Sequence, residues 1–171
     1  MAFRYVPFRA SYPPDAPYNS PRGRFNDGVR FTLYVSNSLR GATVEFYRRH
    51  SEFLSDQGIA RIRVYTLTLD ITGPCLDVRT PADAAAAGVV FDRLRSNEAD
   101  ESLRYADCHA LADGVGTLAC GIAYPSAAHA DQMTWCLVLF GRPASATWWC
   151  SGYSELVVPT INPAEVRRLP T

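Results

Sequence analysis

The sequence predicts an α+β fold, one domain over residues 1–171 with a mixed or antiparallel β core and flanking helices. Three observations carry this expectation. The chain has 171 residues, enough for one domain of ordinary size and too few for two comfortable ones. Apolar residues make up 47% of it, so a core can be buried and intrinsic disorder is excluded. The periodic segments run as strands and a helix, then helices, then several strands, which is not a regular βαβ alternation.

Taken in order, residues 3–9 ("FRYVPFR") read as a first strand. The stretch "ASYPPDAPYNSPRG" follows, and its four prolines forbid regular structure. A loop of that kind in a small domain is more often functional than idle. Residues 30–36 ("RFTLYVS") read as a short strand. A helix is expected over about 38–54, capped by Ser36 or Asn37, with Leu39, Ala42, Phe46, His50 and Phe53 at helical spacing. Residues 61–70 ("RIRVYTLTLD") are β-branched and aromatic and form the strongest strand signal, with a change of face near Tyr65 that predicts a bulge. The Ala-rich stretch after Pro81 and the region 98–112 read as helices, the second with "NEADE" at its start. Strand-like runs return at 118–124, 134–140 and 146–151, with another near 155–158.

Composition removes several function classes. The 17 basic and 17 acidic residues balance, so there is neither the basic footprint of a nucleic-acid binder nor a block suited to an anionic membrane. Every basic residue is Arg, which excludes Schiff-base and P-loop lysines and leaves phosphate recognition to Arg or backbone N–H groups. No apolar run is long enough for a transmembrane helix, and the opening "MAFRYVPFRASYPP" lacks the apolar core of a secretory signal. Cys75, Cys108, Cys120, Cys136 and Cys150 are odd in number and contain no CxxC pair. That pattern argues against a disulfide framework or a zinc site and for a reducing, cytoplasmic setting.

Four isolated signals are set aside. "DGVGTLACG" (113–121) resembles a dinucleotide fingerprint, but its third glycine is misplaced and it leads from helix into strand, so it reads as a helix C-cap and turn. Cys108–His109 and Ser126 with His129 lack the context of a nucleophile and its base. Trp135, Trp148 and Trp149 read as packing residues ahead of a ligand pocket.

The informative pattern is spread along the chain. Arg24 lies in "PRGRFND", Tyr34 in "FTLYVSNS", Glu45 in "RGATVEFYR" and Ser126 in "GIAYPSA". Singly, each has a structural explanation, and helical phase leaves Glu45 at the flank of the apolar stripe. Together, in this order and relative spacing, the segments resemble the RES domain family over about residues 5–140, while 141–171 is weakly matched.

That resemblance implies a bacterial toxin of a toxin–antitoxin pair, with a fold similar to the diphtheria-toxin-like ADP-ribosyltransferases and with NAD as substrate. It implies that Arg24 engages NAD, Tyr34 lines the nicotinamide pocket, Glu45 is the catalytic acid position and Ser126 is the family serine, with Arg9 as an additional basic contact. No metal and no true cofactor is implied. The implied partners are NAD, an Xre-like antitoxin and a second copy of the chain. The acceptor stays open: water gives a glycohydrolase, phosphate a phosphorylase, and a protein side chain a mono-ADP-ribosyltransferase. A non-catalytic NAD-binding module is a further alternative, and delivery into a target cell is compatible with all of these.

The chemistry suits the residues. Cleaving the nicotinamide–ribose bond releases a neutral ring and develops positive charge on the ribose, so a carboxylate aimed there stabilises the transition state. Arg24 supplies a planar fork of donors for pyrophosphate. Tyr34 can stack on nicotinamide, and a Ser126 hydroxyl can hold a ribose or amide group.

Overall fold

The computed structural model describes residues 1–7, 13–18, 23–49, 62–95, 105–127, 133–141 and 148–156. The strands are β1 (Ala2–Pro7), β2 (Thr32–Ser36), β3 (Ile62–Ile71), β4 (Cys75–Asp77), β5 (Gly121–Pro125), β6 (Trp135–Phe140) and β7 (Trp148–Leu156). The helices are α1 (Leu39–Arg49), α2 (Pro81–Ala86), α3 (Phe91–Arg95) and α4 (Ala106–Val115). Among the described residues one seven-stranded sheet forms, in the order β4-β5-β6-β2-β1-β3-β7. Strands β4 and β5 run parallel and every other neighbouring pair antiparallel, so the sheet is mixed as the sequence predicts.

The central strands are apolar on both faces because both faces are covered. In β6, Cys136, Val138 and Phe140 join a cluster with Phe25, Ala84, Leu94, Cys108, Leu111 and Ile122, which brings α2, α3 and α4 onto that face. Leu137 and Leu139 point the other way, into a cluster with Leu33, Val35, Tyr65, Leu67 and Trp148. Trp148 is fully buried and its indole N–H donates to the Phe140 carbonyl at 2.7 Å, satisfying the one polar atom it brings inside. Trp149 stays exposed, so the tryptophans divide between core and surface.

Local chemistry sets the helix ends. Ser38, not Ser36 or Asn37, caps α1: its Oγ accepts from the Gly41 N–H at 2.9 Å, while Ser36 Oγ accepts from Ser38 N–H one step earlier. A Cβ on Gly41 would come within 2.5 Å of Ser36 Oγ, so glycine lets α1 sit tightly on the end of β2. Thr80 caps α2, accepting from Asp83 N–H, with Pro81 in the first turn. Helix α4 ends where Gly116 turns at φ 52°, which places the "DGVGTLACG" segment as the helix end and turn read from the sequence.

Two further sequence expectations are corrected, and two short elements were not anticipated. The bulge lies between Thr68 and Leu69 rather than at Tyr65; Thr68 pairs with Gly152 and Leu69 with Cys150, so Ser151 of β7 is the extra residue. The runs expected at 146–151 and 155–158 are joined, in their described part, into the single strand Trp148–Leu156, because the β3 ladder carries β7 across Ser151–Gly152; residues 146–147 and 157–158 lie outside the described residues. Strand β4, only three residues long, was not anticipated. The Ala-rich stretch after Pro81 is α2, as expected, and the short helix α3 beyond Gly88 was not anticipated. Residues 50–54 of the first helix expectation and 98–104 of the later one lie outside the described residues.

Candidate active site

The segment after Gly23 is a tight turn closed and anchored by Asn26. Asn26 is fully buried, and its side chain donates to the Tyr18 carbonyl at 3.1 Å and to Thr32 Oγ1 at 3.0 Å while accepting from Gly28 N–H at 2.9 Å. The turn closes through Asn26 N–H to the Gly23 carbonyl, which also contacts His109 Nε2 at 2.9 Å. Phe25 plugs inward against Tyr124, ring centroids 4.7 Å apart. This leaves Arg24 as the residue the turn presents.

Arg24 points into the protein and is 9% exposed. Its Nη1 donates to the Leu94 carbonyl at the end of α3, and its guanidinium lies 5.1 Å from the centre of the Tyr105 ring at the start of α4. Burial works against the charged form, but Cys108, Glu45, Tyr124 and Tyr105 outweigh it and raise the Arg24 pKa above its ordinary value. Among the described residues this is a fixed cation held in a ring of polar and aromatic groups. One donor is committed to Leu94, and the guanidinium carries five.

Tyr34, half-buried on β2, accepts the Phe25 N–H on its hydroxyl at 2.8 Å. The strand therefore holds the Arg24 turn directly. Its ring packs at 6.2 Å from that of Tyr18. Glu45 lies on α1, flanked by buried Val44 and Phe46, and is half-buried. Its Oε1 accepts from Ser126 Oγ at 2.7 Å and from Ala127 N–H at 3.1 Å. Ser126, 1% exposed, follows β5, and its own N–H donates to the Thr134 carbonyl at 3.2 Å. Two donors from one strand end thus converge on one oxygen of a carboxylate carried by a helix.

Four residues singled out from the sequence are thereby joined by contact or by field. Tyr34 reaches the Arg24 turn, Ser126 reaches Glu45, and Glu45 acts electrostatically on Arg24. Arg9 and His129 lie outside the described residues. Sequence reasoning missed Tyr124, Tyr105 and the Leu94 carbonyl, and set Cys108 aside. Tyr124 is buried beside Glu45, Tyr34 and Arg24, and burial holds its hydroxyl well above the usual phenol range. Cys108 is likewise raised by burial, opposed by Arg24, and Cys136 by burial and then by Glu45. The signal for Tyr105 and Cys108 was their helical spacing, three residues apart, at the start of α4.

An apolar cavity of about 620 Å³ lies elsewhere, between β4, the α2–α3 connection and α4, lined by Leu76, Val89, Leu111, Val115 and Leu118. Among the described residues Asp107 is the only charged one on its wall, so they offer no counter-charge for an anionic ligand. Among the described residues no group of three metal-ligating side chains gathers, and no helix is long and apolar enough to cross a membrane.

A mixed sheet with helices on one face, and an Arg, a Tyr, a Glu and a Ser gathered from four separated segments, define the class. The RES domain family model matches residues 2–151, and the chain belongs to the RES domain family. The fold is similar to that of a chain in the crystal structure of the M. tuberculosis MbcT–MbcA toxin–antitoxin complex. The TM-score is 0.63 at 21% identity, over 98% of this chain and 87% of that chain. No curated protein matches the sequence.

Proposed function

We propose that this protein is a toxin that binds NAD and cleaves its nicotinamide–ribose bond. The observation that carries the reading is the carboxylate of Glu45, held by Ser126 Oγ and Ala127 N–H and within electrostatic range of the buried cation of Arg24. An oriented carboxylate stabilises the oxocarbenium charge that develops on ribose as neutral nicotinamide leaves. Arg24 supplies positive charge for the pyrophosphate, and the Tyr34 ring supplies a face for nicotinamide. Water attacking the ribose carbon gives ADP-ribose and a proton; phosphate in its place gives the phosphorylase outcome.

Membership of the RES domain family supports the toxin reading, and the solved complex of similar fold pairs a toxin with an antitoxin. We extend that arrangement to this chain: an Xre-like antitoxin covers the Arg24–Glu45 region, and the toxin acts in a cytosol, where its substrate is. The test is nicotinamide release from NAD by the purified protein, with and without phosphate. Glu45→Gln keeps the shape and removes the charge, and release should fall about 100-fold or more, as for loss of one transition-state contact. Undiminished release by a folded Glu45→Gln variant would remove Glu45 from the mechanism. Label from NAD on protein in place of free ADP-ribose would make the reaction a transfer.

A further inference from the structure

The five cysteines are free, and two of them, far apart in sequence, meet. Cys75 opens β4 at the sheet edge and is exposed; Cys120, just before β5, is buried. Their sulfurs lie 3.5 Å apart across a sequence separation of 45 residues. The backbone beneath them is held on both sides. Cys120 N–H donates to the Pro74 carbonyl at 2.8 Å, Phe140 N–H donates to the Cys120 carbonyl at 2.8 Å, and Cys75 pairs in parallel register with Gly121. A disulfide has a sulfur–sulfur length of about 2.05 Å, so the two atoms need close by only about 1.5 Å.

We infer that Cys75 and Cys120 form a cystine site that takes a low-molecular-weight disulfide as its oxidant and, when closed, braces the helical layer over Arg24. The 45-residue span between them begins at β4 and ends at β5. It contains α2, α3 and α4, and so the Leu94 carbonyl and the Tyr105 ring that hold Arg24. A bond at its two ends restricts the unfolded chain and ties the excursion to the sheet.

The exchange balances. The Cys75 thiolate attacks one sulfur of the small disulfide and releases the first small thiol. Cys120 then attacks the sulfur of Cys75 in the mixed disulfide and releases the second. Two electrons and the two thiol protons leave on the two small thiols. Although the residue is exposed, partial desolvation of its sulfur, and then the hydrogen bond with Cys120, push the Cys75 thiol up to about 12. The thiolate is the nucleophile, so the reaction is slow near neutral pH and accelerates as pH rises.

The test uses the purified full chain and oxidised glutathione, followed by alkylation under denaturing conditions and peptide mass analysis. A Cys75–Cys120 linked peptide is expected, with Cys108, Cys136 and Cys150 alkylated and the link reversed by reductant. The Tm should rise by roughly 5–10 °C on oxidation. Cys75→Ser and Cys120→Ser should each abolish the link and the Tm rise. A persistent glutathione adduct on Cys75 beside an alkylated Cys120, another pairing, or five alkylated cysteines overturns the site. A linked pair without a Tm rise overturns the bracing role. None of these readouts depends on NAD, so they fail or succeed separately from the proposed activity.

Discussion

Ser126→Ala isolates the contact on which the proposed mechanism depends most. The substitution keeps the Cβ and backbone of a residue 1% exposed and deletes one O–H donor. That donor reaches Glu45 Oε1 at 2.7 Å, a length typical of a charge-assisted bond to a carboxylate, while the Ala127 N–H at 3.1 Å remains. Hydrogen bonds to charged groups contribute about 1.5–3 kcal/mol. If the orientation matters fully in the transition state, kcat/KM for nicotinamide release falls about 10- to 150-fold, since about 1.4 kcal/mol is a factor of ten. Stability changes less, because Glu45 is half-buried and water can replace the lost donor. A Tm decrease of a few degrees is expected. The assay is steady-state nicotinamide release beside thermal unfolding of the same preparations. A kcat/KM within twofold of the parent, at a retained Tm, refutes the claim that Ser126 orients the catalytic carboxylate. A rise in KM with kcat unchanged would move Ser126 from orienting Glu45 to uniform substrate binding.

Tyr34→Phe removes the acceptor of the Phe25 N–H but keeps the ring, leaving a part-buried donor unpaired at a cost of about 1–3 kcal/mol. The Tm should fall by several degrees, and activity should fall with it because the Arg24 turn is no longer held; Tyr34→Leu should lose further activity through the missing ring. Equal activity in the two variants would show that stacking contributes nothing. Arg79 holds the Asp77 carboxyl below its ordinary value through their hydrogen bonds. A depressed folded-state pKa contributes stability that is present above about pH 4 and lost as pH falls through the folded value. Asp77→Asn should therefore lower the urea midpoint slightly at neutral pH, the pair being well exposed, with the difference shrinking in acid. A difference that widens toward acid pH would contradict that sign.

Much of the framework was legible because it rests on local rules. Strand β3 shows in its β-branched run, α1 in its apolar spacing, and the turn at Gly116 in a glycine after a helical stretch. Strand β4 was not, because three residues pairing in parallel with β5 carry no period of their own. Strand β7 reads as two pieces in sequence because Ser151–Gly152 is turn chemistry, and a bulge opposite β3 overrides it. The cap of α1 was displaced to Ser38, one residue beyond the expected pair.

The sequence by itself determined the α+β class, the exclusion of lysine chemistry and, through the ordered segments around Arg24, Tyr34, Glu45 and Ser126, membership of the RES domain family. Those are properties of composition, period and order. Only the tertiary structure decided that Ser126 bonds to Glu45 across 81 residues, and that Arg24 is gripped by Leu94 across 70. It also decided that Cys75 and Cys120 touch across 45. Each of these pairs joins segments brought together by the burial of the two sheet faces and by strand pairing, which the spacing of the pair in sequence does not encode. The same packing separates adjacent residues: Trp148 is sealed in the core and Trp149 faces solvent, because successive strand residues point to opposite sides and only one side there is covered.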